Sequence, residues 1–195
     1  MGTRNLTCVV KNGQYKVAKY GQWDGYPTSL GIGILEFLRN EFDRSTFERN
    51  LDKVQFISDE QAHALWTECG ADDSDWVNME VSERFKQKYF ALSRDCGGDD
   101  VLALIQEGKV DKQQSSLEFA ADGLFCEWCY VVDLDKNTFE VYTGFNQTQL
   151  DPSERFANVK PTEKADTKYS PVKFVKEYSL DNLPSNGQFL TDVNI

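Results

Sequence analysis

The stretch Thr3-Arg4-Asn5-Leu6-Thr7-Cys8-Val9-Val10-Lys11-Asn12-Gly13-Gln14-Tyr15-Lys16-Val17-Ala18-Lys19-Tyr20 decides how the chain is read. Two runs rich in β-branched, apolar and aromatic residues flank Lys11-Asn12-Gly13. Asn-Gly adopts positive φ at low cost, so the pattern predicts a β-hairpin with strands over residues 3–10 and 14–20. The hairpin runs into Gln22-Trp23-Asp24-Gly25-Tyr26-Pro27, a turn by composition. Thr28 or Ser29 can cap the helix that follows, in which Leu30, Ile34, Phe37 and Leu38 recur at helical spacing up to about Phe42. Gly31 and Gly33 weaken its first turn unless the backbone there packs closely on something.

Beyond the hairpin the pattern turns helical. Ser45-Thr46-Phe47-Glu48 and Ser58-Asp59-Glu60-Gln61 both match capping boxes. Further helices are predicted over residues 78–89 and around Val101-Leu102-Ala103-Leu104-Ile105, the latter stopped by Gly108. The last third returns to strands, over residues 124–134, 138–142 and 172–178, the first two joined by Asp135-Lys136-Asn137. Residues 151–170 are polar, carry Pro152 and Pro161, and read as a long surface loop. Strands, then helices, then strands predict one α+β domain over residues 1–195. Its N- and C-terminal strands would form an antiparallel sheet, with a helical, acidic middle (about 45–110) packed on one face.

Composition bounds the function. The chain has 195 residues, 40% hydrophobic and 13% aromatic, enough for a packed core and too much for a disordered chain. Its longest apolar stretches are far shorter than the roughly 20 residues a membrane helix needs. The N-terminal residues show no apolar export signal, so a cytoplasmic protein with reduced thiols is expected. The five cysteines are Cys8, Cys69, Cys96, Cys126 and Cys129. Cys126-Glu127-Trp128-Cys129 is formally a C-x-x-C pair, but in a strand its thiols would point to opposite faces. With His63 as the lone histidine, no metal site is expected. No nucleotide-loop, dinucleotide, nucleophile-elbow or zincin motif is present, so no cofactor is expected either.

The net charge is −11, and residues 51–135, with 7 basic and 19 acidic side chains, account for a local −12. Such a surface does not bind a phosphate backbone directly. It can imitate one to a basic partner, or it can consist of solvated helix faces.

Three groups of residues are candidates for a site. Trp23, Asp24 and Tyr26 put two aromatics and a carboxylate at a strand-to-helix junction, where they could stack a planar ligand and accept hydrogen bonds. They could equally fill core and shape the turn. Ser93-Arg94-Asp95-Cys96-Gly97-Gly98 places an arginine and two glycines before a helix, a possible anion pocket against which Asp95, Asp99 and Asp100 argue. Arg4 nearby would supply a second guanidinium. Glu127 stands in an apolar run with Trp128 and Tyr130; buried there, its carboxylate invites acid–base work, whereas strand alternation groups it with Cys129 and Val131 on a mixed face that can equally be the solvent face.

Met1-Gly2-Thr3-Arg4-Asn5-Leu6-Thr7 and the run Tyr20-Gly21-Gln22-Trp23-Asp24-Gly25-Tyr26-Pro27 resemble an uncharacterised family of proteins from bacteria, their phages and other mobile elements. Its members open with a Thr-Arg hairpin and carry a Trp-Asp-Gly-Tyr-Pro motif before a helix. Leu92-Ser93-Arg94-Asp95, Tyr130-Val131-Val132-Asp133-Leu134-Asp135 and Tyr178-Ser179-Leu180-Asp181-Asn182-Leu183-Pro184 extend the resemblance along the chain. One departure is Thr28-Ser29-Leu30, where the family is richer in Gly and Gln. The resemblance implies a phage or mobile-element setting and a part in phage–host conflict.

These readings converge on a non-catalytic, phage-encoded binding protein. It would engage a host defence protein or sequester a small anionic, nucleotide-like ligand, through Arg4, Trp23, Asp24, Tyr26, Ser93, Arg94 and Glu127. The alternative is a small hydrolase or transferase using Asp24, Glu127 and the pair Arg4 and Arg94. That alternative requires those groups to share one cleft.

Overall fold

The computed structural model describes residues 2–72, 77–161 and 168–194. Residues 73–76, in the acidic loop after Cys69, and residues 162–167, in the expected surface loop, lie outside the described residues. The hairpin forms from β1 (Asn5–Lys11) and β2 (Gln14–Gly21). Asn12 (φ 56°) and Gly13 (φ 69°) are both left-handed, as a two-residue hairpin turn requires. A wide π-helical turn, Pro27–Gly31, leads into α1 (Ile32–Asn40). Then come α2 (Arg44–Leu51), β3 (Gln55–Phe56), α3 (Asp59–Glu68), α4 (Met79–Lys88), α5 (Gly98–Gln106) and β4 (Lys112–Gln113). The chain returns to strand in β5 (Trp128–Asp133), β6 (Thr138–Thr143) and β7 (Lys173–Ser179), and closes with α6 (Asn186–Asp192), which the pattern did not predict.

The fold is α+β, with helices packed on a five-stranded sheet of order β2-β1-β5-β6-β7. The sheet is mostly antiparallel, as expected, with one parallel pairing. The central pair β1–β5 is parallel, with Leu6 opposite Cys129 and Val9 opposite Val132. The chain leaves β2 at the end of the sheet where β1 begins and re-enters β5 at that same end. β5 therefore runs against β2 and along β1, and the helical middle serves as the long crossover that a parallel neighbour needs.

Strand alternation sorts the side chains into two cores. On one face Val9, Val17, Tyr130, Val132, Phe139 and Val141 pack under Ile34, Leu35, Phe47, Leu102, Ile105 and Phe189 of the helices. On the other, Leu6, Cys8, Val10, Cys129, Val131 and Tyr142 are covered by Ala120, Cys126, Leu150, Phe156 and Val172. α3 and α4 pair in a satellite cluster around Phe85, on which Trp66 stacks at 3.7 Å.

Local details differ in instructive ways. Asp43, not Ser45, caps α2: its carboxylate accepts the Thr46 N–H at 2.8 Å and the Ser45 hydroxyl at 2.9 Å. An anionic acceptor two residues earlier outcompetes the hydroxyl. Ser58 and Gln61 form the expected capping box. The strand expected from Leu124 starts at Trp128, because the chain first makes tight turns in which the Phe125 and Cys126 N–H groups donate to Asp122 O. Strand alternation therefore does not apply to Cys126, which lies in the same core as Cys129. Residues 151–170 were expected to be a surface loop, yet they carry Phe156, which is fully buried.

Candidate functional site

The Trp23–Pro27 turn is held rigidly from below. Asp24 adopts a left-handed φ of 51°, and its carbonyl accepts the Leu30 N–H (3.2 Å) and the Ser29 hydroxyl (2.6 Å). The Gly25 N–H donates to Thr3 O, and Gly25 O accepts the Tyr130 hydroxyl at 2.8 Å. A Cβ on Gly25 would sit 2.7 Å from Asn5 Cβ and 2.8 Å from Thr3 O, so this backbone can approach β1 only as glycine. The buried Asn5 amide adds a bond to Trp23 O at 3.1 Å. Tyr26 O accepts the Gly31 N–H across the π-turn; such turns recur at functional sites. With the backbone so fixed, Trp23 (47% exposed) and Tyr26 (49%) project outward. Neither fills core.

The structure brings parts of two of the three sequence candidates, without Tyr26 and Ser93, into one cleft of about 330 Å³. It is lined by Trp23, Asp24 and Ser29 on one side and by Arg94, Asp95, Asp99 and Asp100 on the other. Four aspartates and one arginine line it. Asp95 is partnered by Lys86 at 3.2 Å. Asp100 accepts the Gly97 N–H at 3.0 Å and caps α5. Asp99 sits against Gly33, where an added Cβ would lie 2.4 Å from its Oδ2. Burial first, then the neighbouring Asp100, raises the Asp99 pKa. The start of α5 therefore spends its donors and its positive end on its own aspartates. It is not the phosphate cradle that Arg94 and the glycine pair suggested.

The remaining predicted residues fall elsewhere. Ser93 is buried; its hydroxyl accepts the Asp95 N–H at 3.1 Å and its carbonyl accepts Lys19 Nζ at 2.7 Å. Arg4 lies over the Phe125 ring at 4.4 Å, and its backbone N–H donates to Glu127 Oε1 at 3.2 Å. Neither Arg4 nor Glu127 lines the cleft of Asp24 and Arg94. Arg4 and Arg94 both act electrostatically on Tyr20, whose hydroxyl pKa burial raises and the two cations oppose. Tyr130, grouped with Glu127 by sequence, is fully buried and holds the turn. His63 is exposed on α3.

A second polar cluster was missed. Arg155 grips Glu140 through two bonds, Nε to Oε2 (2.7 Å) and Nη2 to Oε1 (2.6 Å), and also pairs with Asp133. Tyr142 donates to Glu140 as well. The Asp133 and Glu140 side chains are 3% and 2% exposed. Burial opposes the Arg155 charge, but the bonds to Glu140 and Asp133 prevail and raise its pKa. Burial pushes the Tyr15 hydroxyl beside this cluster up to about 12. These groups line a cavity of about 550 Å³. A buried, mutually satisfied ion triad of this kind docks a segment onto a sheet. In sequence the signal was the acidic pair at inward positions of β5 and β6, legible only once the register was known.

Among the described residues no cluster of His, Cys, Asp and Glu is arranged to hold a metal ion, and no helix is long and apolar enough to cross a membrane. Comparison with protein-family models, with curated proteins and with solved structures finds no match. The fold and its cleft thus define an α+β protein with an acidic, tryptophan-edged cleft at a strand-to-helix junction.

Proposed function

We propose that the protein is a non-catalytic binding protein whose Trp23–Asp100 cleft takes a basic segment of a partner protein. The observation that carries this reading is the half-exposed Trp23 at the rim of a cleft with four carboxylates. A lysine or arginine side chain entering there would face the indole and gain both cation–π and charge-assisted contacts. Such a ligand would also relieve Asp99, the carboxylate most penalised by burial and by its neighbour. An anionic or nucleotide-like ligand is disfavoured at this cleft by the same carboxylates. The hydrolase or transferase alternative loses support because Glu127 and Arg4 stand outside it. A host protein that binds nucleic acid offers a basic surface of the required kind. The phage and bacterial resemblance of the Trp-Asp-Gly-Tyr-Pro motif favours a partner of that class, at a site of phage–host conflict.

The test is calorimetric titration of an arginine-rich peptide, with an acidic peptide of equal length as control. Binding is expected only for the basic peptide. Trp23→Ala should weaken it by about 0.5–2 kcal/mol. Asp99→Asn should weaken it too, and added salt should weaken it steeply. Equal affinity in both variants, or no binding of the basic peptide at low salt, would overturn the proposal.

A further inference from the structure

Beside the acidic cleft, on the outer edge of β2, lies a small pocket of opposite character. It is lined by Lys19, Tyr20, Leu92, Arg94, Gln113, Gln114 and Ser116. The lining holds two cations and no carboxylate, in a chain whose net charge is −11. Lys19 is only 6% exposed. Its ammonium has three donors, and one of them goes to the neutral Ser93 carbonyl at 2.7 Å. Burial lowers its pKa, and Cys96, the group acting the other way, is itself a buried thiol pushed up to about 12, hence a neutral neighbour. A buried ammonium without a counter-charge is costly.

Gln113 makes the same point independently. It is 1% exposed, its Nε2 donates to Ala91 O at 3.1 Å, and its buried Oε1 has no partner among the described residues. The bond to Ala91 O fixes the amide orientation and leaves the oxygen unsatisfied. Gln114 is tethered to Asp59 through its Nε2 at 2.8 Å. The backbone contributes as well: Ala18 O accepts the Ser116 N–H across this edge. Strand alternation turns the Tyr20 N–H to the same side. The volume is about 120 Å³, room for one tetrahedral oxyanion and not for a nucleoside.

We infer that this pocket is a binding site for a phosphate-sized oxyanion, held by Lys19 and Arg94, with the Gln113 amide in its wall. The anion is either a free ion or the terminal group of a larger molecule whose remainder lies outside the pocket. This site is separate from the basic-segment cleft, with which it shares only Arg94.

The experiment is titration of inorganic phosphate into the purified protein at low ionic strength, read by calorimetry and by melting temperature, with chloride at matched ionic strength as control. Adenosine monophosphate forms a second arm. Saturable phosphate binding with a rise in melting temperature is expected. Tighter binding of the nucleotide would mean the anion belongs to a larger ligand; equal or weaker binding would mean the free ion. Lys19→Met removes the buried charge at similar volume and should weaken binding about tenfold or more. Gln113→Glu puts a carboxylate where the anion would sit and should abolish binding, which keeps the test decisive if the lysine variant does not fold. No saturable binding of phosphate to the wild-type protein overturns the inference, and so does binding that survives both substitutions.

Discussion

Gly25 shows how a single missing side chain sets the geometry of the candidate cleft. Its backbone lies against Asn5 and Thr3 at a distance that no Cβ tolerates. Gly25→Ala must therefore push the turn away from β1 and strain the Tyr130 bond to Gly25 O. A loss of about 1–3 kcal/mol is expected in urea unfolding, together with weaker binding of the basic peptide. Unchanged stability would mean the turn is not clamped as described. Asp135 is the counterpart at the opposite end of the sheet. Its carboxylate receives the Gly13 N–H (2.7 Å) and the Asn12 N–H (2.8 Å), and these two bonds lower its pKa. A carboxylate with a depressed folded-state pKa stabilises the fold above its unfolded value of about 3.9 and loses that contribution as pH falls through its folded value. Asp135→Asn should therefore lower the melting temperature at neutral pH. The difference from wild type should vanish in acid, as thermal melts across the acidic range would record.

Among the elements, the segment carrying Arg155 and Phe156 is the least expected. It holds on to the sheet by two anchors of different chemistry: the Phe156 ring in the core and the Arg155 guanidinium between Glu140 and Asp133. Arg155→Ala strips Asp133 of its guanidinium and leaves buried Glu140 only the 3.7 Å contact of the Lys136 cation, and should cost about 3–5 kcal/mol. Phe156→Ala creates a cavity and should cost about the same. The two residues serve one docking event, so the double variant should lose less than the sum of the singles. Strict additivity in a denaturant double-mutant cycle would refute joint docking. The hairpin was legible in sequence because Asn12-Gly13 states its own turn. This segment was not, because Pro152, Pro161 and many polar residues describe a loop equally well whether or not it packs. α6 escaped for a related reason: it is short, and Phe189 has meaning only against Phe139 and Tyr178.

At the scale of the whole molecule, the five cysteines lie in three separate cores and all are free thiols and buried. Burial raises the pKa of Cys126 and Cys129 well above the ordinary thiol value and that of Cys96 to about 12. Thiolates are the reactive form, so a disulfide reagent should label the native protein negligibly at neutral pH and all five thiols after denaturation. Rapid labelling of the native protein would contradict the burial described here. The amino-acid sequence by itself determined the α+β class, the hairpin, most of the helices, and the Trp23–Tyr26 turn between strand and helix. Turn chemistry, capping and hydrophobic period are local, and each is written in a few adjacent residues. Only the tertiary structure decided the parallel pairing of β1 with β5, the meeting of Asp24 with Arg94, and the departure of Glu127 and Arg4 from that cleft. It also decided the sign of the cleft, since α5 turned its own aspartates onto the donors that an anion would have used. The union of Lys19 with Gln113 beside Arg94 belongs to the same level. Those residues are 94 positions apart in the chain, and what joins them is the path of the crossover over the edge of β2, which no local pattern records.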